Sequence, residues 1–292
     1  MRGNAEMHEL VAPGSLAAVL DLLAAEPGQW TPIAGGTELM VAFSAGRLKA
    51  HKLVNLWGIP DLRIIEATPQ SVAIGAAATF FDLRKHALIN AEFPLLAKAA
   101  SWIGSIANQT RATVGGNLVN GSPAADSSPA LLAYDAEIET ISVRGRRKVP
   151  YSEFHLGYKR NVLAADELIY AIHLPRRFAL HRQYLRKVGT RRAMAVAKVA
   201  LGATALIEQG VLREIRLGAA SLAPYPTRLK QTEAALLDQA LTRETVLAAR
   251  RALFAEVQPI DDIRSTAEYR RRVAVNLLEE FLLELRREGL RP

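Results

Sequence analysis

Apolar positions in the first half of the chain switch between helical and strand spacing at short intervals, and that rhythm sets the expected fold. Leu16, Val19, Leu20 and Leu23 recur at helical spacing behind Ser15, a capping residue, and Pro27-Gly28 ends the run, so a helix is expected over 15–26. Trp30 to Ile33 reads as a short strand that runs into Ala34-Gly35-Gly36-Thr37-Glu38-Leu39. From Glu38 the spacing turns helical through Met40, Val41 and Phe43, until Gly46 closes it. A strand at 53–56 and a hairpin pairing 64–65 with 72–76 follow, then a helix from Thr79 to about His86 and an apolar helix over 94–103. Ile106 to Ala112 reads as a polar connector into Thr113-Val114-Gly115-Gly116-Asn117. Beyond it, 129–134 reads as a short helix, and 136–143 pairs with 147–149 across Arg144-Gly145-Arg146.

In the second half, strands are expected at 168–174 and 184–187, and 199–207 and 211–219 flank the hairpin turn Glu208-Gln209-Gly210. Helices are expected at about 228–238, 243–256 and 266–288. The last opens on the capping box Ser265-Thr266-Ala267-Glu268 and carries a stripe of Tyr269, Val273, Leu277, Phe281 and Leu285, read as core-facing. The chain is therefore α/β at the start, mixed in the middle, and a hairpin with helices at the end, with joints near 57–60 and 176–180.

Two Gly-Gly pairs punctuate this pattern, each with a threonine beside it. Glycine pairs leave backbone N–H groups uncovered by any Cβ, and such loops cradle anions, diphosphate above all. Either pair alone is equally a tight turn or a close approach of two backbones. The first lies between a strand and a helix, with Thr37 placed to cap the helix. The second opens a polar stretch through Asn120-Gly121-Ser122-Pro123 and Asp126 to Ser127-Ser128-Pro129. No G-x-G-x-x-G and no P-loop lysine occurs, so the chain lacks a nicotinamide-type fingerprint. Two loops closing on one diphosphate suit an extended dinucleotide such as FAD, whose flavin and adenine need apolar slots.

Composition narrows the chemistry. The 292 residues allow more than one domain, and no apolar run reaches membrane-span length. The amino-terminal stretch Met1-Arg2-Gly3-Asn4-Ala5-Glu6 lacks the apolar run of a secretory signal, so a cytoplasmic protein is expected. There are no cysteines, which excludes disulfides, a catalytic thiol and any iron–sulfur cluster held by this chain's own thiolates. The six histidines show no metal-ligand spacing, and no metal site is expected. Net charge is +8, with Arg270-Arg271-Arg272 and Arg286-Arg287 near the C-terminus. Nucleic acid is one reason for such clusters, but no aromatic residues interleave with them, and a solvated helix face or an acidic partner fits better.

Ala34-Gly35-Gly36-Thr37-Glu38-Leu39, taken together with Thr113-Val114-Gly115-Gly116-Asn117 and Asp126, resembles the FAD-binding medium subunit of the molybdenum hydroxylases, the xanthine dehydrogenase and aerobic carbon monoxide dehydrogenase family. Pro123, Glu167-Leu168-Ile169, Leu174-Pro175, Lys187 within Tyr184-Leu185-Arg186-Lys187, and Asp262-Ile263-Arg264 extend the similarity over nearly the whole chain. It implies an α+β architecture: an FAD-binding type-2 (PCMH-like) fold of two α/β subdomains, 1–57 and 58–176, plus a C-terminal domain, 177–292, with a β-hairpin sheet and helices. Pro32, Ile33, Ala34, Gly35, Gly36, Thr37, Glu38 and Leu39 would form one wall of the FAD site, and Thr113, Val114, Gly115, Gly116 and Asn117 the other. Asp126 would accept hydrogen bonds from a cofactor hydroxyl or amine. Ile169 and Lys187 would lie near the isoalloxazine, where a lysine cation favours reduced, anionic flavin. Ile103 stands where the family often has an aromatic, and keeps the apolar contact without stacking.

The resemblance further implies an electron-transfer subunit with no catalytic acid or base of its own. The molybdenum cofactor would sit on a large partner chain and [2Fe-2S] clusters on a small one, in a dimer of heterotrimers, with NAD, a quinone or oxygen taking the electrons. The rivals are a stand-alone flavin reductase or oxidase with a related fold, and a basic nucleic-acid-binding protein.

Overall fold

The computed structural model describes residues 3–289. Met1 and Arg2, at the start of the amino-terminal stretch read above, lie outside the described residues, as do residues 290–292. Among the described residues, three larger sheets and one small two-stranded sheet are found. The first is parallel, with β1 (Glu9–Val11) and β2 (Trp30–Ile33) both paired to β3 (Lys52–Asn55). Parallel pairing needs crossovers, and α1 (Leu16–Ala25) and α2 (Leu39–Ser44) supply them. Ser15 caps α1 through Ala18 N–H, and Leu16, Val19, Leu20 and Leu23 are buried, as their spacing predicts.

The second sheet is antiparallel. Its order is β4 (Ile65–Ala67), β5 (Ser71–Gly75), β10 (Leu168–Pro175), β6 (Glu137–Ser142), β7 (Gly145–Pro150). β10 is central, and its burial on both faces explains the apolar run Leu168 to Leu174. A helical segment is inserted between β5 and β6: α3 (Phe80–Lys85), α4 (Ala87–Glu92), α5 (Pro94–Ala100), α6 (Ile106–Gln109), α7 (Val114–Asn120) and α8 (Ser128–Ala133). Thr79 and Asp82 form a reciprocal capping box at the start of α3. Beyond β7, α9 (Tyr151–Phe154) leads into the small pair β8 (His155–Gly157) and β9 (Arg160–Asn161).

The third sheet, β11 (Arg182–Val188), β12 (Val199–Glu208), β13 (Val211–Ala220) and β14 (Thr227–Arg228), is antiparallel and backed by α10 (Lys230–Ala234), α11 (Arg243–Glu256) and α12 (Ala267–Gly289). α8 rests on this sheet so closely that a Cβ at Gly202 or Gly218 would come within 2.6 or 2.4 Å of the Pro129 carbonyl oxygen. Among the described residues, three large apolar clusters lie one beneath each larger sheet, with a small fourth of Ala197, Ala200 and Ala220.

Several expectations are corrected. The segment 113–117 is the N-terminal turn of α7, because Thr113 caps it through Gly116 N–H. The connector 106–112 contains α6, started by a Ser105–Asn108 capping box. The helix expected to Ile103 ends at Ala100, and the one expected over 228–238 is confined to Lys230–Ala234, because Thr227 and Arg228 pair with β13 instead. At α12 the capping hydroxyl is that of Thr266, which accepts from Tyr269 N–H, while Ala267 N–H is taken by Asp261. Tyr269 is half-exposed, whereas Leu277, Phe281 and Leu285 are buried as the stripe predicts. The strand Glu9–Val11 carried no sequence signal.

Candidate functional site

The first glycine pair turns the chain from β2 into α2. Gly36 has φ +71°, which only glycine adopts without strain, so this pair is needed for its backbone conformation. Met40 N–H reaches back to the Gly36 carbonyl at 2.8 Å and starts the helix. Thr37 does not cap it; Glu38 occupies the cap position without a side-chain bond. Among the described residues, the backbone N–H groups from Gly35 through Leu39 meet no protein acceptor. A consecutive run of unspent donors is a concave anion receptor.

The second pair does different work. Val114 and Gly115 N–H donate to the carbonyls of Ala78 and Ala76 at 3.0 and 2.8 Å, and Gly116 N–H donates to Thr113 Oγ1 at 3.2 Å. Its donors are spent inside the protein, contrary to the expectation that they face an anion. What the pair supplies is closeness: a Cβ on Gly115 would stand 2.7 Å from the Ala76 Cβ. Gly116 is open except for Thr113 Oγ1.

The two pairs meet in space. A Cβ on Gly35 would lie 1.7 Å from the Arg111 carbonyl oxygen, two residues before Thr113. Between them opens a cavity of about 640 Å³, within the size range of cofactor sites. Pro32, Ala34 through Leu39, Ile103, Thr113, Gly115, Gly116, Asn117 and Ile169 all line it. Leu23, Leu56, Leu62, Ala77 and Leu168 add an apolar recess. Gly104, Asn108, Asn120, Asn161 and residues 163–165 also line it and were missed. Asn120 sits in an Asn-Gly pair whose turn signal was visible; Asn161 lies on a two-residue strand with no readable pattern. A row of free N–H groups beside an apolar recess fits a dinucleotide, with its charge on the diphosphate and its rings apolar.

Ile33, Val114, Asp126 and Lys187 lie outside the lining. Val114 is fully buried in the core. Asp126 and Lys187 face each other instead: Lys187 Nζ donates to Asp126 Oδ2 at 2.7 Å, and both side chains are about nine-tenths buried. Burial pushes the Asp126 carboxyl up to about 6, against the lowering pull of Lys187. Its second oxygen, Oδ1, is buried and finds no hydrogen-bond partner among the described residues. Lys187 Nζ lies 5.8 Å from the centre of the Trp102 ring. The next residue to Asp126, Ser127, donates its hydroxyl to Asn117 Oδ1 at 2.7 Å and so joins this loop to the cavity wall.

Residues 5–177 match the family described as the FAD binding domain in molybdopterin dehydrogenase, and residues 184–285 match the CO dehydrogenase flavoprotein C-terminal domain. The chain is 30% identical to the xanthine dehydrogenase FAD-binding subunit of Escherichia coli O157:H7, over 92% of this chain and 93% of that one. It is 28% identical to the carbon monoxide dehydrogenase medium chain of Hydrogenophaga pseudoflava, over 94% and 95% of the two chains. A solved structure of carbon monoxide dehydrogenase from Hydrogenophaga pseudoflava, in a form lacking the Mo-pyranopterin moiety of its cofactor, superposes with a TM-score of 0.90 at 29% identity, covering 96% of each chain. With its two domains in that order and its glycine pairs on one cavity, the chain belongs to the FAD-binding medium subunits of the molybdenum hydroxylases, the xanthine dehydrogenase and carbon monoxide dehydrogenase family.

Proposed function

We propose that this chain holds FAD between its two glycine pairs and forms the electron exit of a molybdenum hydroxylase complex. The N–H groups from Gly35 through Leu39 take the pyrophosphate, and the close packing at Gly115 brings Gly116 and Asn117 up as the opposite wall. Ile103 and Ile169 supply apolar contact along the cavity, and the Asp126–Lys187 pair stands behind Asn117 as its electrostatic backing. When bound, FAD supplies the redox chemistry between partner iron–sulfur clusters and an external acceptor, which is NAD, a quinone or oxygen.

A chain without cysteine has no thiolates to hold iron–sulfur clusters, so the [2Fe-2S] centres belong to a small partner chain and the molybdenum cofactor to a large one. A cytoplasmic dimer of heterotrimers is the assembly this reading implies. No helix among the described residues is long and apolar enough to cross a membrane. The three sheets support a division into 1–57, 58–176 and 177–292.

The observation that carries the reading is the run of unspent N–H donors on the wall of the shared cavity. The test is the flavin absorption band of the purified protein or its complex. Gly116→Val puts a branched side chain into the cavity without a positive-φ penalty, so the variant should fold and lose flavin. Stoichiometric flavin in a folded Gly116→Val protein, checked by circular dichroism, would overturn the assignment. Co-purification then identifies the partner chains and their cofactors.

A further inference from the structure

Trp57, Arg63 and Arg111 form a stack next in sequence to residues of the cavity wall, although none of the three lines the cavity itself. The guanidinium carbons of Arg63 and Arg111 lie 4.0 and 3.7 Å from the centre of the one indole ring. Each residue of the stack is the chain neighbour of a lining residue: Leu56, Leu62 and Ala112. Arg111 is also the residue whose carbonyl Gly35 must clear, so its backbone touches the loop with the free N–H groups.

Two cations sharing one ring are closer together than a Debye length, which is about 10 Å at 0.1 M salt, so their repulsion is poorly screened. Among the described residues, neither guanidinium has a carboxylate partner. Two other stacked arginines do have one, although Arg271 over Phe254 bonds only the Val257 carbonyl. Arg146 over Tyr170 pairs with Glu139, and Arg177 over Phe178 pairs with Asp135 and Glu214. The Trp57 stack thus holds two planar donor forks, pre-ordered on an aromatic face, with an anion's worth of charge uncompensated. A guanidinium fork matches a phosphate through paired N–H···O bonds.

We propose that the Arg63–Trp57–Arg111 stack binds a phosphate group of a dinucleotide next to this cavity, Arg111 acting beside the N–H run of Gly35 to Leu39. The inference rests on the cavity being a dinucleotide site. The phosphate is that of the resident FAD or that of an external nicotinamide dinucleotide, and the two sources separate by experiment.

Arg111→Gln, Arg111→Lys and Trp57→Phe are compared with the wild-type protein. FAD and riboflavin affinities are measured on the deflavinated full chain, and the KM for NADH on the flavin-loaded complex. If the phosphate is that of FAD, Arg111→Gln weakens FAD at least tenfold and leaves riboflavin, which has no phosphate, unchanged; Arg111→Lys recovers part of the loss. If it belongs to the external dinucleotide, FAD affinity holds and the NADH KM rises at least tenfold. Inorganic pyrophosphate should also change the tryptophan emission of the deflavinated chain, and Trp57→Phe should abolish that change, a readout that does not depend on the arginine variants folding. Unchanged FAD affinity in Arg111→Gln, together with an unchanged NADH KM or no NADH oxidation at all, overturns the stack as a phosphate site. A wild-type chain that binds no FAD overturns the cavity reading itself.

Discussion

At Asp126 the fold decides the charge of a side chain. Its carboxyl is pushed up to about 6 by burial, from an ordinary value near 3.8. Below about pH 4 both folded and unfolded chains hold this proton, and no penalty applies. Between about pH 4 and 6 the unfolded chain has released it while the folded one has not, so this residue's contribution to stability falls as the pH rises, and is flat above that. His155 has the opposite sign. Burial among Tyr151, Phe154 and Tyr225 pushes it down to about 4. Its contribution is complete above about 6.5 and is lost as the pH falls toward about 4. The two slopes oppose each other over the same window. Asp126→Asn should therefore leave the His155 slope uncovered, with urea-unfolding free energies that drop toward acid more steeply than in wild type. His155→Phe should do the reverse. With each pKa unit worth about 1.4 kcal/mol, each change amounts to about 3 kcal/mol across the window. Parallel pH profiles for all three proteins would show that neither group titrates as argued. The family resemblance offered Asp126, but nothing in the sequence could show that the carboxylate meets a lysine 61 residues away.

Among the elements, α7 shows where sequence pattern and structure part. Two adjacent glycines and a following Asn-Gly argue for a loop, since glycine costs about 1 kcal/mol per position in a helix. The helix forms because Thr113 caps it and because Val114 and Gly115 spend their N–H groups on the Ala76–Ala78 segment. That docking needs a residue without a Cβ at 115 and not at 116. Gly115→Ala forces a methyl against Ala76 and should destabilise the protein by about 1–3 kcal/mol, with loss of flavin as the wall shifts. Gly116→Ala brings a Cβ within 2.9 Å of the capping Thr113 hydroxyl, a strain on a cap worth about 1 kcal/mol that a similar gain in helix propensity offsets, so the variant should stay within about 1 kcal/mol of wild type. Equal losses in the two variants, measured by urea unfolding, would contradict this division of roles. The longer elements, α1, α11 and the β12–β13 hairpin, were legible because one buried face runs through several turns or residue pairs. α4, α6, α9 and the β8–β9 pair were not, because a segment of two to six residues carries too few positions to establish a period.

Across the whole molecule, one acidic residue gathers arginines from both the central and the C-terminal sheets, adding to the close packing of α8 on the latter. Asp135 follows α8 with φ +48° and receives Arg177 at 2.7 Å, Arg216 at 2.8 Å and Arg228. Arg177 lies just after β10, whereas Arg216 is on β13 and Arg228 on β14, so one carboxylate joins elements of both sheets. Arg228 also pairs with Glu233, whose carboxyl burial pushes up and which accepts Leu217 N–H at 2.7 Å. Composition showed an excess of arginine but not where it goes, because Asp135 and Arg228 are 93 positions apart. Asp135→Asn keeps the tolerated backbone conformation and removes the charge. Arg228, only 13% exposed, then depends on Glu233 alone. Breaking a fully buried pair costs about 3–5 kcal/mol; with Asp135 a quarter exposed, a loss of about 2 kcal/mol is expected, smaller in 1 M salt. Because Asp135 does not line the cavity proposed for FAD, flavin content at 25 °C should be unchanged. A variant that keeps its stability but loses flavin would mean that the junction acts on the site, and that the two sheets are coupled through more than shared rigidity.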